Sequence, residues 1–162
     1  MNPNDKRKII ILTGAVHSGK SGALLLWVQE KSVGGFVTPT INEKKVLLNV
    51  DTKISYPYEV DGLSADAIHI GQYFLDNRAF HIAAAIVEDA LSNPLEWFVF
   101  DEIGKLELAG MGHYHCLKRL LGNWQGKLLL VIRDQLVNEV MSTFKLNEAT
   151  LINKQDLQAN NF

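Results

Sequence analysis

The chain has 162 residues, 47% of them hydrophobic, and a formal net charge of −2 at pH 7. This length allows a sizeable core, so we expect a single domain over residues 1–162. The slightly acidic balance argues against a nucleic-acid-binding protein, since such proteins are usually basic. No apolar run approaches the roughly 18 residues of a membrane span, and a single cysteine, Cys116, cannot form an internal disulfide. We therefore expect a cytoplasmic protein that does not associate with membranes.

The N-terminal half predicts a strand, a helix and then several short strands. The β-branched run KIIILTG, residues 8–14, is typical of a buried strand in a parallel sheet. The segment SGALLLWVQEK, residues 21–31, predicts a helix that ends at Gly34 and Gly35. Residues 61–69 predict an exposed loop. The segments between that helix and that loop predict an antiparallel hairpin region: residues 35–40, 44–50 and 53–60.

The C-terminal half alternates helices with apolar strands. DNRAFHIAAAIVEDALSNP, residues 76–94, predicts a helix that Asp76 or Asn77 caps and Pro94 closes. LEWFVFDEIG, residues 95–104, is an apolar strand that ends in two acids. The remaining segments predict helix, strand, short helix and strand in turn: YHCLKRLLG, KLLLVIRD, QLVNEVMS and ATLIN. This alternation predicts an α/β fold, with a mainly parallel central sheet, helices on both faces and an antiparallel hairpin addition.

A glycine-rich loop between the first strand and the first helix is the most specific motif of the chain. Gly14, Gly19, Lys20 and Ser21 fit the phosphate-binding pattern G-x-x-x-x-G-K-[ST], with a strand before it and a helix after it. Glycine allows successive backbone N–H groups to point inward at phosphates, and the helix N-terminus adds positive potential there. Lys20 would reach the β- and γ-phosphates, and the Ser21 hydroxyl would bind Mg²⁺. The predicted nucleotide-binding residues are Gly14, Ala15, Val16, His17, Ser18, Gly19, Lys20, Ser21 and Gly22.

The two acids after the strand WFVF predict the second half of the site. An aspartate at the tip of a strand near a phosphate loop can bind Mg²⁺ directly or through water, which is the role we predict for Asp101. Glu102 follows it directly, points away from it, and can orient or deprotonate an attacking water. A glutamate in this position favours water as the nucleophile, and hence hydrolysis of a nucleoside triphosphate.

Arg133 follows the apolar run LLLVI, at the carboxyl end of a predicted core strand. Ligands of open α/β sheets bind at that edge, so Arg133 is a candidate for contact with the γ-phosphate. Two other functions share the same loop: a nucleotide or small-molecule kinase, and a binding module whose slow hydrolysis times a conformational change. Such kinases commonly carry an arginine-rich lid, whereas this chain has only Arg7, Arg78, Arg119 and Arg133.

Several segments resemble the small P-loop nucleoside-triphosphatases of bacteria and archaea, a family that includes the human cancer-related nucleoside-triphosphatase. DEIGKLEL, residues 101–108, is close to the family signature DEIG-x-MEL, with Leu106 where methionine is usual. GGFVT resembles the GF-x-T strand, and IGQYFLDNRAF resembles the VG-x-Y-x-V-D segment, including Gly71, Tyr73 and Asp76. The order and spacing match over about residues 8–152.

The resemblance implies Mg²⁺-dependent hydrolysis of several nucleoside triphosphates, ATP and GTP among them, to nucleoside diphosphate and phosphate. It implies that Gly14, Gly19, Lys20 and Ser21 of the phosphate loop, together with Asp101 and Glu102, carry the same roles as in the family, but it implies no particular physiological substrate. The sequence predicts no particular protein partner. The chain departs from the family in its loop, which reads GAVHSGKSG where GPPG-x-GKTT is usual. After GF-x-T it also has Pro39 and no arginine, where the family tends to carry an acid, an arginine and a G-x-R-x-GF stretch.

Overall fold

The computed structural model describes residues 7–15, 18–160 and 162. Within these residues, eight strands form one sheet, and a two-stranded hairpin lies beside it. The strands are β1 Lys8–Leu12, β2 Val33–Val37, β3 Thr40–Ile41, β4 Lys44–Asn49, β5 Ser55–Pro57, β6 Ala67–Ile70, β7 Tyr73–Asp76, β8 Trp97–Ile103, β9 Lys127–Ile132 and β10 Thr150–Ile152. The helices are α1 Lys20–Gln29, α2 Asn77–Ser92, α3 Lys105–Leu108, α4 Tyr114–Asn123, α5 Val137–Thr143 and α6 Lys154–Ala159, with a 3₁₀ turn at Asp134–Leu136.

The strand order decides which residues share the functional edge of the sheet. The order is β10-β1-β9-β8-β2-β4-β3, with β5 also paired to β4, and the first five strands run parallel. The strands β3, β4 and β5 add on in antiparallel pairing, as the sequence predicts. β9 lies between β1 and β8, so the phosphate loop after β1 and the acids at the end of β8 are two strand spacings apart, about 10 Å.

Side chains of the parallel strands alternate between two apolar layers, one on each face of the sheet. In β1, Ile11 packs with α2, α4 and α5, whereas Ile10 and Leu12 pack with α1 and α6. This alternation is the period of two expected of a strand buried on both faces. The predicted three-layer α/β architecture, with helices on both faces, is therefore confirmed.

Several local predictions are confirmed, and two are wrong. Asp76 is the cap of α2, since its carboxylate accepts the N–H of Arg78 at 2.9 Å. The prediction that Gly34 and Gly35 end the first helix is wrong, because α1 ends at Gln29 and both glycines lie in β2. Residues 61–69 are not all loop, since β6 begins at Ala67 and pairs with β7. Among the described residues, no helix is long and apolar enough to cross a membrane.

Gly35 explains why the sequence misleads at this point. Its φ is +103°, a region that side chains rarely adopt, and a Cβ built on it would lie 2.0 Å from the carbonyl oxygen of Val99. The glycine therefore permits the close approach of β2 to β8 rather than ending a helix.

Candidate active site

The phosphate loop connects β1 to α1 as the motif predicts. Gly19 caps the helix in a left-handed conformation, with φ 82° and ψ 16°, which glycine adopts without steric cost. The helix then begins at Lys20, and Ser21 and Gly22 lie exposed in its first turn. Of the remaining predicted loop residues, Val16 and His17 lie outside the described residues.

The Lys20 side chain folds back over its own loop. Its Nζ donates to the carbonyl oxygens of Gly14 at 2.8 Å and Ala15 at 2.7 Å, and lies 3.3 Å from the Ser18 hydroxyl. Burial lowers the pKa of the Lys20 ammonium group, and nearby charges act on it as well. Asp134, Asp101 and Glu102 raise that pKa, and Arg133 lowers it. The predicted lysine follows β1, the acids lie at the end of β8 and the arginine follows β9, so all four lie at the same edge of the sheet, where these parallel strands end.

Asp101 is a buried carboxylate with an unusually full set of donors. Its Oδ2 accepts the N–H of Thr38 at 2.9 Å and the hydroxyl of Thr38 at 3.0 Å, while Oδ1 accepts the N–H of Glu102 at 2.8 Å. Burial, followed by the negative charge of Glu102, raises the pKa of Asp101 to about 6, and the bonds from Thr38 and Glu102 oppose that rise. Thr38, itself 3% exposed, thus stabilises the charged form of the acid.

The two acids lie together in a β-bulge. Phe100 pairs with Leu130 and Ile103 pairs with Ile132, so Asp101 and Glu102 together face a single residue of β9. Glu102 has a φ of 64°, a left-handed conformation that costs a side-chain-bearing residue roughly 1–2 kcal/mol. Bulges of this kind redirect a side chain next to a functional site.

The redirected Glu102 side chain meets a lysine of the antiparallel addition. Lys45 in β4 donates from Nζ to Glu102 Oε1 at 2.6 Å, and the two side chains are 23% and 28% exposed. Sequence reasoning missed Lys45, because its partner lies 57 positions away and no local pattern marks it.

Two further cations lie near the phosphate loop. Arg133 is exposed at the carboxyl end of β9, between the loop strand and the acidic strand. Lys154 begins α6, and its Nζ is 3.2 Å from the position that a Cβ on Gly19 would take. The sequence analysis did not select Lys154, although a lysine two residues after the last strand lies near the ligand-binding edge by the same rule that made Arg133 a candidate.

The loop after the acids is anchored by a buried glutamate. Glu107 accepts the N–H of Gly104 at 2.9 Å and the N–H of His113 at 2.9 Å. Burial raises the pKa of Glu107, and the two backbone donors oppose that rise. These bonds fix the DEIG turn to the start of α4, so Glu107 orients this loop.

Comparison with known proteins agrees with this arrangement. A family model described as NTPase matches residues 9–160. The solution structure of a human cancer-related nucleoside triphosphatase is 21% identical, with a TM-score of 0.70 over 95% of each chain. The crystal structure of THEP1 from the hyperthermophile Aquifex aeolicus is 18% identical, with a TM-score of 0.74 over 95% of this chain and 96% of that one. No curated protein matches the sequence. The two solved structures have the same fold as this chain. Because the family model matches nearly the whole chain, this protein belongs to the NTPase family of small P-loop nucleoside-triphosphatases.

Proposed function

We propose that this protein hydrolyses nucleoside triphosphates, ATP and GTP among them, to nucleoside diphosphate and phosphate, with Mg²⁺ as cofactor. The observation that carries the proposal is the sheet order: the phosphate loop follows β1, Asp101 and Glu102 lie at the end of β8, and β9, which Arg133 follows, lies between those two parallel strands. A lysine, a strand-end aspartate and an adjacent glutamate at one sheet edge are the parts that phosphoryl transfer to water requires.

The phosphate loop would bind the triphosphate through its backbone N–H groups and Lys20. The Lys20 ammonium group bonds to the Gly14 and Ala15 carbonyls, and a β- or γ-phosphate oxygen would replace these partners with a charged one. Residues Gly14–Gly22 would thus surround the phosphates, with α1 directing its N-terminus at them.

The donor set fits Mg²⁺. Mg²⁺ commonly keeps several waters and is bound through one or two carboxylates together with substrate phosphates, so few protein ligands are needed. A carboxylate has about four acceptor positions, and three donors from Thr38 and Glu102 occupy Asp101, which leaves one for a metal-bound water. Ser21 would contribute its exposed hydroxyl. When bound, the ion would neutralise charge that develops on the β- and γ-phosphates.

Glu102 would orient the attacking water and accept its proton. Arg133 would stabilise negative charge on the γ-phosphate, because it directly follows β9, the strand between the loop strand and the acidic strand. Of the other arginines outside the N-terminal segment, Arg78 pairs with Asp76 and Arg119 pairs with Glu88, each at 2.7 Å. These pairs leave no arginine-rich lid in the described part of the chain, which favours hydrolysis over the kinase alternative.

We also propose that residues 1–162 form one domain, because the apolar clusters on both faces of a single sheet include side chains from Ile9 to Phe162. A cytoplasmic location remains part of the proposal. It accords with the buried free thiol of Cys116, whose pKa burial raises to about 12.

The deciding experiment measures phosphate release from ATP, GTP, CTP and UTP, with and without Mg²⁺, for the unmodified protein and for Glu102→Gln and Asp101→Asn. We expect slow, Mg²⁺-dependent release, well below about 10 per second, because no partner supplies an additional arginine. Glu102→Gln should bind MgATP with near-normal affinity and hydrolyse it at least about a hundredfold more slowly. Asp101→Asn should instead weaken the Mg²⁺ dependence of binding.

The alternatives predict other products of the same assay. Transfer of labelled phosphate to an added acceptor would identify a kinase, and stable bound ATP would identify a binding module. Normal hydrolysis by Glu102→Gln would show that another group activates the water, and equal loss of binding in both variants would contradict the division of roles between the two acids.

A further inference from the structure

Lys45 lies where the antiparallel addition reaches the acidic strand. Its ammonium group and the Glu102 carboxylate form a 2.6 Å contact in which both side chains are about three-quarters buried. The side chain of the neighbouring Lys44, on the opposite face of the strand, pairs with Asp61 at 2.7 Å, where the two side chains are 49% and 84% exposed. Adjacent lysines of one strand thus make one partly buried contact and one exposed contact.

Both partners of the buried contact have a fixed backbone. The carbonyl oxygen of Lys45 accepts the N–H of Glu59 at 2.9 Å and of Tyr58 at 3.3 Å, and its own N–H donates to Glu59 Oε2 at 3.2 Å. Glu102 is fixed by the bulge and by its N–H bond to Asp101. The ammonium group also lies 6.0 Å from the ring centre of Tyr73, on the β6–β7 hairpin. The pair is therefore held from both sides.

The contact uses only one oxygen of Glu102. Lys45 binds Oε1, and within the described residues nothing donates to Oε2. A carboxylate held by one oxygen keeps the other oriented and able to accept a hydrogen bond from water. The lysine therefore restricts rotation of the carboxylate without occupying the oxygen that would contact the nucleophile.

We propose that Lys45 is a positioning residue for hydrolysis, which holds Glu102 so that Oε2 faces the attacking water. This inference rests on the proposed function, since it assigns Glu102 the role given there. Lys45 acts through Glu102 and not on the phosphate. Its effect should appear in the chemical step and should disappear when Glu102 can no longer accept a proton.

The test compares Lys45→Met with Lys44→Met as the matched control. Lys45→Met should lower kcat by about tenfold to a hundredfold, the scale of a small misplacement of a catalytic group, and leave KM within about twofold. Lys44→Met should match the unmodified protein in both constants. Lys45→Arg, which keeps the charge and reach, should recover most of kcat. Circular dichroism and urea titration accompany every variant, and Lys45→Gln replaces Lys45→Met should the latter fail to fold.

The double variant decides how Lys45 acts. In the Glu102→Gln background, Lys45→Met should change single-turnover phosphate release by less than about twofold, because the group it positions is already inactive. An equal loss in both backgrounds would overturn the inference and point to direct contact with phosphate. Unchanged kcat in Lys45→Met would overturn it too, while leaving the proposed function intact. Absence of phosphate release by the unmodified protein would instead overturn the proposed function, and this inference with it.

Discussion

Replacing Gly35 by alanine tests how β2 and β8 pack to build the site. A Cβ on Gly35 would lie 2.0 Å from the carbonyl oxygen of Val99, 2.8 Å from its N and 2.9 Å from its carbonyl carbon. All three are backbone atoms, so no side chain can rotate to relieve the contact, and the strands must separate locally. The φ of +103° adds backbone strain.

The expected loss of stability is the sum of two costs, the backbone strain at positive φ and the steric contact of the added methyl group. Left-handed backbone costs an alanine roughly 1–2 kcal/mol, and forcing a methyl group into a packed interior costs about 1–3 kcal/mol. We expect Gly35→Ala to lower the free energy of unfolding by about 2–5 kcal/mol, a large share of the about 5–15 kcal/mol that holds a domain together. Gly34→Ala is the control, since its Cβ would meet only Leu95 Cδ1 at 3.6 Å, an ordinary contact.

Urea titration of both variants, followed by circular dichroism, measures the difference in their free energies of unfolding, provided that the slope of this free energy against urea concentration is the same for both. A Gly35→Ala protein within about 1 kcal/mol of Gly34→Ala would refute the close approach of the two strands. The result also concerns the site, because β2 continues into Thr38, which donates twice to Asp101.

Three further predictions concern the charged groups. Lys20→Ala should abolish phosphate release and leave the urea midpoint near that of the unmodified protein, because its ammonium group faces the loop and not the core. Asp101 has its folded pKa raised from 3.8 to about 6, so its contribution to stability should fall by up to about 3 kcal/mol as the pH rises through that interval. Thr38→Val removes a bond to the charged form and should therefore destabilise the protein more at pH 7.5 than at pH 4.5; equal losses in urea titrations would contradict this. Lys154→Ala should weaken binding of a nucleoside triphosphate severalfold in low salt and less in high salt, because salt screens the attraction between the lysine and the phosphates. Lys31→Ala, at an exposed position after α1, is the control and should leave the affinity unchanged. A fluorescence titration at both salt concentrations measures the two affinities.

The sequence predicts most of the fold because the strong signals are local. The β-branched strands, the helix capped by Asp76 and the glycine-rich loop each depend on residues close together in the chain. The sequence does not predict the β6–β7 hairpin, because its two strands have only four residues each and Gly71 lies between them. The turn residues of Asp61–Ser64, just before β6, favour the prediction of a loop there. Gly35 is misread since a glycine after a helix usually ends it, and only the approach of Val99 shows its purpose.

The candidate site residues also differ in whether a local sequence pattern predicts them. Lys20, Ser21, Asp101 and Glu102 belong to short motifs with a strand directly before them, so the sequence predicts them as site residues. Thr38 bonds to Asp101, 63 positions away, and Lys45 bonds to Glu102, 57 positions away. No local sequence pattern predicts either contact. The sequence does not predict the β-bulge in β8 either, because the pattern of WFVFDEI is that of one uninterrupted strand.

The segment from Thr38 to Lys45, where β2 joins the antiparallel addition, supplies hydrogen-bond partners to both acids. Thr38 comes directly after β2 and binds Asp101, while Lys45 lies in β4 and binds Glu102. The N–H of Val46 donates to the carbonyl oxygen of Pro39 at 3.0 Å, which fastens these two segments together next to the acids. Pro39 lacks an N–H but loses nothing here, since only its carbonyl is used. A shift of β4 would therefore move the partners of Asp101 and Glu102 together, so the roles proposed for the two acids, metal binding and water activation, would be coupled through these hydrogen bonds.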